Sequence, residues 1–132
     1  KVVLGAAFVE SCKGDPGEIV EHGGGCRITF GKQSDLQEDR VKELSKMFEG
    51  SNIDFIVSEN IYDDLWQKLV FISALSGMTC ITKSTFKEVM DNPLTRTITR
   101  DLVCETASVA SKAVPDFSED TAQNTIDYLQ TH

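Results

Sequence analysis

The spacing of hydrophobic positions changes part-way along this chain and predicts two kinds of structure. Up to about residue 57 most apolar residues come in short runs separated by glycine, proline and polar residues, which is typical of strands and turns. From residue 58 they recur every three or four positions, which is typical of helices that pack on one face. We therefore predict an α+β chain, with short strands and a hairpin in residues 1–57 and an all-helical domain in residues 58–132.

The first part is predicted to contain four strands and one helix. Gly23-Gly24-Gly25 separates two strand-like segments and is interpreted as a hairpin connection. A phosphate-binding glycine loop would need a helix after the glycines, whereas Arg27–Phe30 continues as a strand. The strands are expected at residues 1–9, 17–22, 26–30 and 53–57, and the helix at residues 34–49 before Gly50.

The second part is predicted to contain four helices, each with a recognisable start. The first carries residues 61–77, and the third ends near residue 113 because Pro115 follows. The starting signals are Ser58, Thr85 with Glu88 as a capping box, Asn92 before Pro93, and Ser118.

Lys68 is the most informative residue of the first of these helices. At about 100° per residue, it falls inside an apolar stripe of the helix. The stripe consists of Ile61, Leu65, Leu69 and Ile72. A lysine in an apolar seam is costly unless it is paired or its perturbed acidity is used. Lys68 is therefore a candidate catalytic or ligand-binding residue, with two structural alternatives: an ion pair with Asp64, or a side chain that reaches solvent.

Glu105 interrupts the apolar stripe of the third helix in the same way. The stripe consists of Leu94, Ile98, Leu102 and Val109. A carboxylate on a core-facing stripe pairs with a cation or lines a polar cavity. In the alternative, the stripe is only partly covered and Glu105 reaches solvent.

Composition and charge exclude several classes of function. The 132 residues carry a net charge of -8 with a pI of about 4.7, which argues against nucleic-acid and anionic-membrane binding. The longest apolar run, Leu69–Leu75, is too short to span a membrane. Four widely spaced cysteines without a CxxC pair are expected to be free thiols, with no zinc site. We expect a cytoplasmic protein, and the strand-like start without a methionine suggests a piece of a longer chain.

Three segments together resemble the C-terminal part of ketopantoate reductase (2-dehydropantoate 2-reductase). Residues 4–31, with LGAAFVESC at 4–12 and Arg27–Gly31 at the end, are similar to the last strands of that family's nucleotide domain. Ser58–Leu69 (SENIYDDLWQKL) resembles the start of its helical domain, and residues 93–112 its next long helix. The order and spacing of the three segments carry the resemblance, which covers essentially the whole chain.

The resemblance implies a reductase that uses NADPH to convert ketopantoate to pantoate, in pantothenate and coenzyme A biosynthesis. Its helical domain would be like the C-terminal domain of reductases of the 6-phosphogluconate dehydrogenase type. The family's lysine in Trp-x-Lys-Leu, which is Lys68 here, protonates the carbonyl oxygen of the substrate. The expected partners are a small 2-keto acid and, through the helical domain, a second copy of the chain.

Three positions depart from the family pattern. Where the family has substrate-binding asparagines, this chain has Ile72, Ser76 and Phe86. Of these, Ser76 keeps a hydrogen-bonding group, and Ile72 would line the substrate position without one. No Gly-x-Gly-x-x-Gly fingerprint occurs, so the chain itself is expected not to hold NADPH. Two alternatives follow: a related 2-keto or 2-hydroxy acid dehydrogenase with another substrate, or a non-catalytic helical dimerisation module in which Lys68 pairs with Asp64.

Overall fold

Short strands fill the first part of the chain and helices the rest, as the sequence predicts. The computed structural model describes residues 2–23, 26–115, 117–118 and 120–131. The chain divides into two compact units, Lys1–Asp64 (unit 1) and Leu65–His132 (unit 2), and the division falls inside a long helix. The boundary predicted at residues 57 and 58 lies a few residues earlier. The interpretation of the first part as the end of a nucleotide-binding domain stays a prediction.

Two separate sheets make up the β structure of unit 1. The five strands are β1 (Leu4–Phe8), β2 (Ser11–Lys13), β3 (Ile19–Glu21), β4 (Arg27–Gly31) and β5 (Asp54–Ser58). The larger sheet has the order β1-β4-β5, with β1 antiparallel and β5 parallel to β4. β2 and β3 form a two-stranded antiparallel sheet of their own.

The predicted hairpin between β3 and β4 is wrong, because these strands belong to different sheets. β4 is the central strand of the larger sheet, and its Phe30 is buried. The true hairpin joins β3 to β2, a short polar strand that the hydrophobic pattern did not reveal. Its turn is closed by Glu18, whose backbone N–H donates to the carbonyl of Asp15, and it uses Gly17 at a φ of 91°. Gly24 and Gly25 lie outside the described residues.

The core of unit 1 is centred on three phenylalanines. Phe30 of β4, Phe55 of β5 and Phe48 of α1 (Glu38–Phe48) have ring centroids 5.8–6.0 Å apart. A short 3₁₀ turn, Asp35–Gln37, precedes α1, and Gly50 follows it at a φ of 79°. The predicted helix and its end are therefore confirmed.

Four helices follow, and their predicted order is confirmed. They are α2 (Ile61–Thr82), α3 (Phe86–Asp91), α4 (Pro93–Ala113) and α5 (Thr121–Thr131). The predicted cap of α2 is wrong: Ser58 ends β5, and Asn60 instead accepts a hydrogen bond from the Asp63 N–H at 3.4 Å. The caps of α3 and α4 are confirmed, since Thr85 forms a capping box with Glu88 and the Asn92 side chain accepts from two backbone N–H groups.

The core of unit 2 lies between α2, α4 and α5 and is completed by residues after α4. Trp66 and Phe71 pack against it, and the Phe71 ring meets the edge of Tyr128 at 5.7 Å between centroids. Its fully packed members are Val70, Ala74, Val103, Ala110, Val114, Phe117, Ile126 and Leu129.

By length and composition alone, α2 is apolar enough to cross a membrane. An 18-residue window of it has a mean hydropathy of 1.2, and 17% of that window is buried. This corrects the expectation that no stretch is long enough, which counted only uninterrupted apolar runs. Helices in protein cores pass the same test, and Val70, Ala74 and Met78 of α2 are buried here.

The capping box of α3 gives a testable effect on stability. The Thr85 side chain accepts from the Glu88 N–H at 3.3 Å, and the Glu88 carboxylate accepts from the Thr85 N–H at 2.8 Å. We expect Thr85→Ala to lower the free energy of unfolding by about 0.5–2 kcal/mol. The measurement is urea unfolding followed by the fluorescence of Trp66, the single tryptophan, which packs on the core of unit 2.

The control for this prediction is Thr97→Ala on α4, an exposed threonine whose hydroxyl bonds only within its own helix, to the Pro93 carbonyl. It should leave the stability nearly unchanged. The hydrogen bonds from Thr85 hold the pKa of Glu88 below its usual value. This stabilisation is present above the ordinary glutamate pKa and is lost as the pH falls through the lowered one. Thr85→Ala keeps the backbone bond but removes the hydroxyl that donates to the Glu88 carboxylate at 2.8 Å, so its cost should shrink in acid. A cost that grows in acid would contradict the capping account.

Candidate active site

The predicted site residues of α2 lie on its open face. At about 100° per residue, Lys68, Ile72 and Ser76 share one side of the helix. The buried residues Val70, Ala74 and Met78 share the other side. α2 therefore packs into unit 2 through one face, and the predicted site residues lie on the opposite face.

The apolar stripe around Lys68 exists, but it does not face the core of unit 2. Its first member, Ile61, belongs to unit 1 and is only 1% exposed. Beyond it, Leu69 is 44% exposed and Ile72 36% exposed, while Lys68 is half-buried. Apolar spacing could not identify the buried face, because α2 is apolar on almost every side between Leu65 and Leu75. The expectation of a lysine sealed in a hydrophobic seam is corrected to a half-buried lysine on an accessible apolar face. The ion pair of Lys68 with Asp64 stays a prediction.

The three positions that depart from the family pattern differ in their surroundings. Ser76 is exposed and keeps a hydroxyl on the Lys68 face, one turn beyond Ile72. Phe86, at the start of α3, packs against the core of unit 2 instead. Ile72 and Ser76 can therefore contact a ligand that also meets Lys68, whereas Phe86 contributes to packing.

Glu105 lies on the solvent side of α4, which agrees with the alternative in which its carboxylate reaches water. The predicted core stripe of α4 is wrong, because Leu94 is 70% exposed and Val109 52% exposed. The buried face consists of Thr99, Val103 and Ala110, about a third of a turn away. Nothing in this position gives Glu105 a role at the Lys68 face.

One polar contact joins α2 to α4 beneath this face. The Ser73 hydroxyl lies 3.3 Å from the Thr106 hydroxyl, and each also lies within hydrogen-bond distance of a carbonyl of its own helix. One hydroxyl donates to the other, which donates its own proton to its carbonyl. Both side chains are therefore satisfied within the structure. We assign them to helix packing, which fixes the rotation of α2 and with it the direction in which Lys68 projects.

The sequence has no dinucleotide-binding fingerprint, and the described part of the structure has no metal site. None of the nine glycines makes a Gly-x-Gly-x-x-Gly turn between a strand and a helix. Across residues 2–23, 26–115, 117–118 and 120–131, no three histidine, cysteine or carboxylate side chains are placed to hold a metal.

The family model for the C-terminal domain of ketopantoate reductase (PanE/ApbA) matches residues 60–132. This match covers more than half of the chain and contains α2 to α5. The chain belongs to the ketopantoate reductase family. Family membership confirms the resemblance, and members of this family are oxidoreductases. The role of Lys68 stays a prediction.

Known proteins are similar to this chain in sequence and in fold. An uncharacterised oxidoreductase of Bacillus subtilis (strain 168), YkpB, is 28% identical over 112 residues, which are 85% of this chain and 37% of that protein. The crystal structure of 2-dehydropantoate 2-reductase from Geobacter metallireducens GS-15 superposes with a TM-score of 0.84 at 21% identity, over 98% of this chain and 43% of that one. D-Mandelate dehydrogenase, in a ternary structure with NADH and anilino(oxo)acetate, gives a TM-score of 0.81 at 19% identity, over 98% and 40%. The chain therefore spans about two fifths of the length of these relatives.

Proposed function

We propose that this chain forms the substrate-binding part of a nicotinamide-dependent 2-keto acid reductase, with ketopantoate as the first candidate substrate and NADPH as the coenzyme. The observation that carries the proposal is the position of Lys68. It stands in the sequence Trp66-Gln67-Lys68-Leu69, half-buried on the open apolar face of α2, within the region that matches the ketopantoate reductase family. The proposal takes the reductase to be of the relatives' full length, with the coenzyme held by residues outside these 132.

Lys68 is proposed as the general acid of the reaction. A bound nicotinamide coenzyme supplies hydride to the carbonyl carbon, and the carbonyl oxygen then needs a proton. The ammonium group of Lys68 donates this proton and, before transfer, stabilises the negative charge that develops on the oxygen. Leu69 and Ile72 are apolar neighbours of Lys68 on the helix, and a substrate that covers them would exclude water from the ammonium and strengthen that electrostatic contact.

A different 2-keto acid is the second candidate substrate. Ile72 offers no hydrogen bond, and with Leu69 it makes the surface beside Lys68 apolar. A 2-keto acid whose side chain is apolar throughout fits this surface better than ketopantoate, whose side chain ends in a hydroxyl group. D-Mandelate dehydrogenase, a structural neighbour, was solved with anilino(oxo)acetate, an oxamate in which an aromatic amine is attached to the 2-oxo acid group.

The non-catalytic alternative depends on an Asp64–Lys68 ion pair and on self-association of the helical unit. In that case Lys68 would contribute to folding and dimer formation rather than to chemistry. The cytoplasmic location and the homodimer stay predictions.

The reductase proposal is tested by the consumption of NADPH and NADH in the presence of a panel of 2-keto acids. The panel contains ketopantoate, unbranched aliphatic acids and phenylglyoxylate, and the protein is the full-length one that carries this segment. We expect turnover with at least one 2-keto acid, and an apolar preference if Ile72 sets the specificity. A protein that binds the coenzyme but turns over no 2-keto acid would contradict the proposal.

A further inference from the structure

A cysteine and a histidine meet on the β2–β3 hairpin, away from the Lys68 face. The Sγ atom of Cys12 lies 2.9 Å from Nε2 of His22, within hydrogen-bond reach, and either atom is the donor according to the tautomer of the ring. Both residues are exposed. The proposed reductase function uses neither of them.

The backbone explains why these two side chains meet. Cys12 is paired with Val20 across the hairpin, and His22 is two residues beyond Val20. In an antiparallel pair this diagonal places both side chains on the same face, within contact distance. The His22 N–H also donates to the Glu10 carbonyl at 2.9 Å, which extends the pairing beyond β3 and fixes His22 in register.

Cys12 and His22 together provide the two groups of an activated nucleophile, a thiol and a neighbouring base. Only the thiolate of cysteine is a good nucleophile, and an exposed thiol without a neighbouring base is mostly protonated at pH 7. An imidazole in hydrogen-bond contact can accept the proton as the sulfur attacks, which is the arrangement of cysteine–histidine enzymes. Cys12 also stands on the surface, where a small electrophile reaches it directly.

We propose that Cys12 and His22 form a reactive thiol site that takes up small disulfides as mixed disulfides. His22 accepts the thiol proton while the Cys12 sulfur attacks one sulfur of the disulfide. The sulfur–sulfur bond of the small molecule breaks, and its leaving thiolate takes the proton from His22. One thiol and one disulfide thus give a mixed disulfide and a new thiol, and the small disulfide is the only oxidant.

The charges of the hairpin favour a cationic disulfide. Between residues 10 and 22 there are four carboxylates and one lysine, and by strand alternation Glu10 lies on the same face as Cys12 and His22. These carboxylates attract a cation to the surface around the Cys12 thiol. Cystamine, which carries two ammonium groups, should therefore react faster than glutathione disulfide, and added salt should reduce the difference.

The chain supplies its own controls for the test. Cys80 and Cys104 are also exposed free thiols. His22 is the only histidine in the part of the chain that the structure describes, so neither control cysteine has an imidazole beside it there. Mass spectrometry of peptides after timed exposure to cystamine at pH 7 gives the rate at each cysteine in one sample.

We expect Cys12 to react roughly tenfold faster than Cys80 and Cys104, below the 10²–10⁴-fold typical of a general base in an enclosed site, because this one is open to water. His22→Gln should reduce the Cys12 rate to that of the other two cysteines. Glu21→Gln, which changes the opposite face of the same strand, should leave the advantage of Cys12 in place. In urea-unfolded protein the three rates should become equal.

Three results would overturn the proposal. The first is equal rates at all three cysteines in the folded protein. The second is an advantage of Cys12 that persists in His22→Gln, since exposure alone would then account for it. The third is the same loss in Glu21→Gln as in His22→Gln, which would mean that both variants act by disturbing the hairpin.

Discussion

Val103→Ala should lower the free energy of unfolding of unit 2 by about 2 kcal/mol, whereas Val109→Ala should change it by less than about 0.5 kcal/mol. Val103 is fully buried in the core, and Val109 on the same helix is 52% exposed. Both variants remove the same two methyl groups from α4 and improve helix propensity by the same small amount. The difference between them therefore isolates the contribution of burial.

Urea unfolding followed by Trp66 fluorescence measures both variants against the wild type. The experiment also decides which of two faces of α4 is buried. The apolar spacing of the sequence predicts that Val109 faces the core, and the structure places Val103 there instead. Equal losses in the two variants, or a larger loss at Val109, would contradict the buried face described here.

The kinds of element could be predicted from the sequence because their signals are local. Thr85 with Glu88 and Asn92 with Pro93 mark helix starts through their own side chains and backbone, and both are found as predicted. Gly50 ends α1 by adopting a positive φ, which is again a property of one residue. Signals of this kind need no knowledge of the rest of the chain.

The faces and partners of the elements could not be predicted, because they depend on residues far apart in sequence. Thr99 is only 1% exposed although it is polar, since its hydroxyl donates to the Thr95 carbonyl and its methyl group can pack. A prediction based on hydrophobicity assigns such a residue to the surface. The predicted buried face of α4 is therefore wrong by about a third of a turn. In unit 1, strand β4 pairs with β1 and β5, one of them parallel, and no local signal distinguishes this from a hairpin with β3.

The residues of the candidate site could be predicted from the sequence, but their exposure to solvent could not. Lys68 and Ser76 lie on one face of α2, as their spacing requires, but the face is accessible rather than sealed. The Cys12–His22 pair was missed because β2 is short and polar, so its register with β3 could not be inferred. Once β2 is known, the positions of Cys12 and His22 follow from the pairing alone.

Lys68→Ala should reduce kcat of the proposed reductase by about 10²–10⁴-fold, the usual contribution of a positioned general acid. The loss should appear in kcat and kcat/KM together, because the proton and the charge on the oxygen matter mainly in the transition state. Lys68→Arg should recover only part of the rate, since arginine keeps the positive charge but is a much weaker acid.

Two controls separate this chemical role from a structural one. Lys112→Ala removes an exposed lysine from the last turn of α4 and should leave kcat unchanged. Asp64→Ala removes the proposed ion-pair partner of the structural alternative. If that alternative holds, Asp64→Ala and Lys68→Ala should lower the free energy of unfolding by similar amounts and should not differ in their effect on chemistry.

The most direct test of the account is the rate of NADPH oxidation by the full-length protein with its best 2-keto acid, compared between wild type and Lys68→Ala. Circular dichroism and urea unfolding establish in parallel that both proteins are folded. We expect turnover by the wild type and a loss of at least about a hundredfold in the folded variant. A folded Lys68→Ala protein that reduces the same acid at the wild-type rate would contradict the assignment of Lys68 as the proton donor.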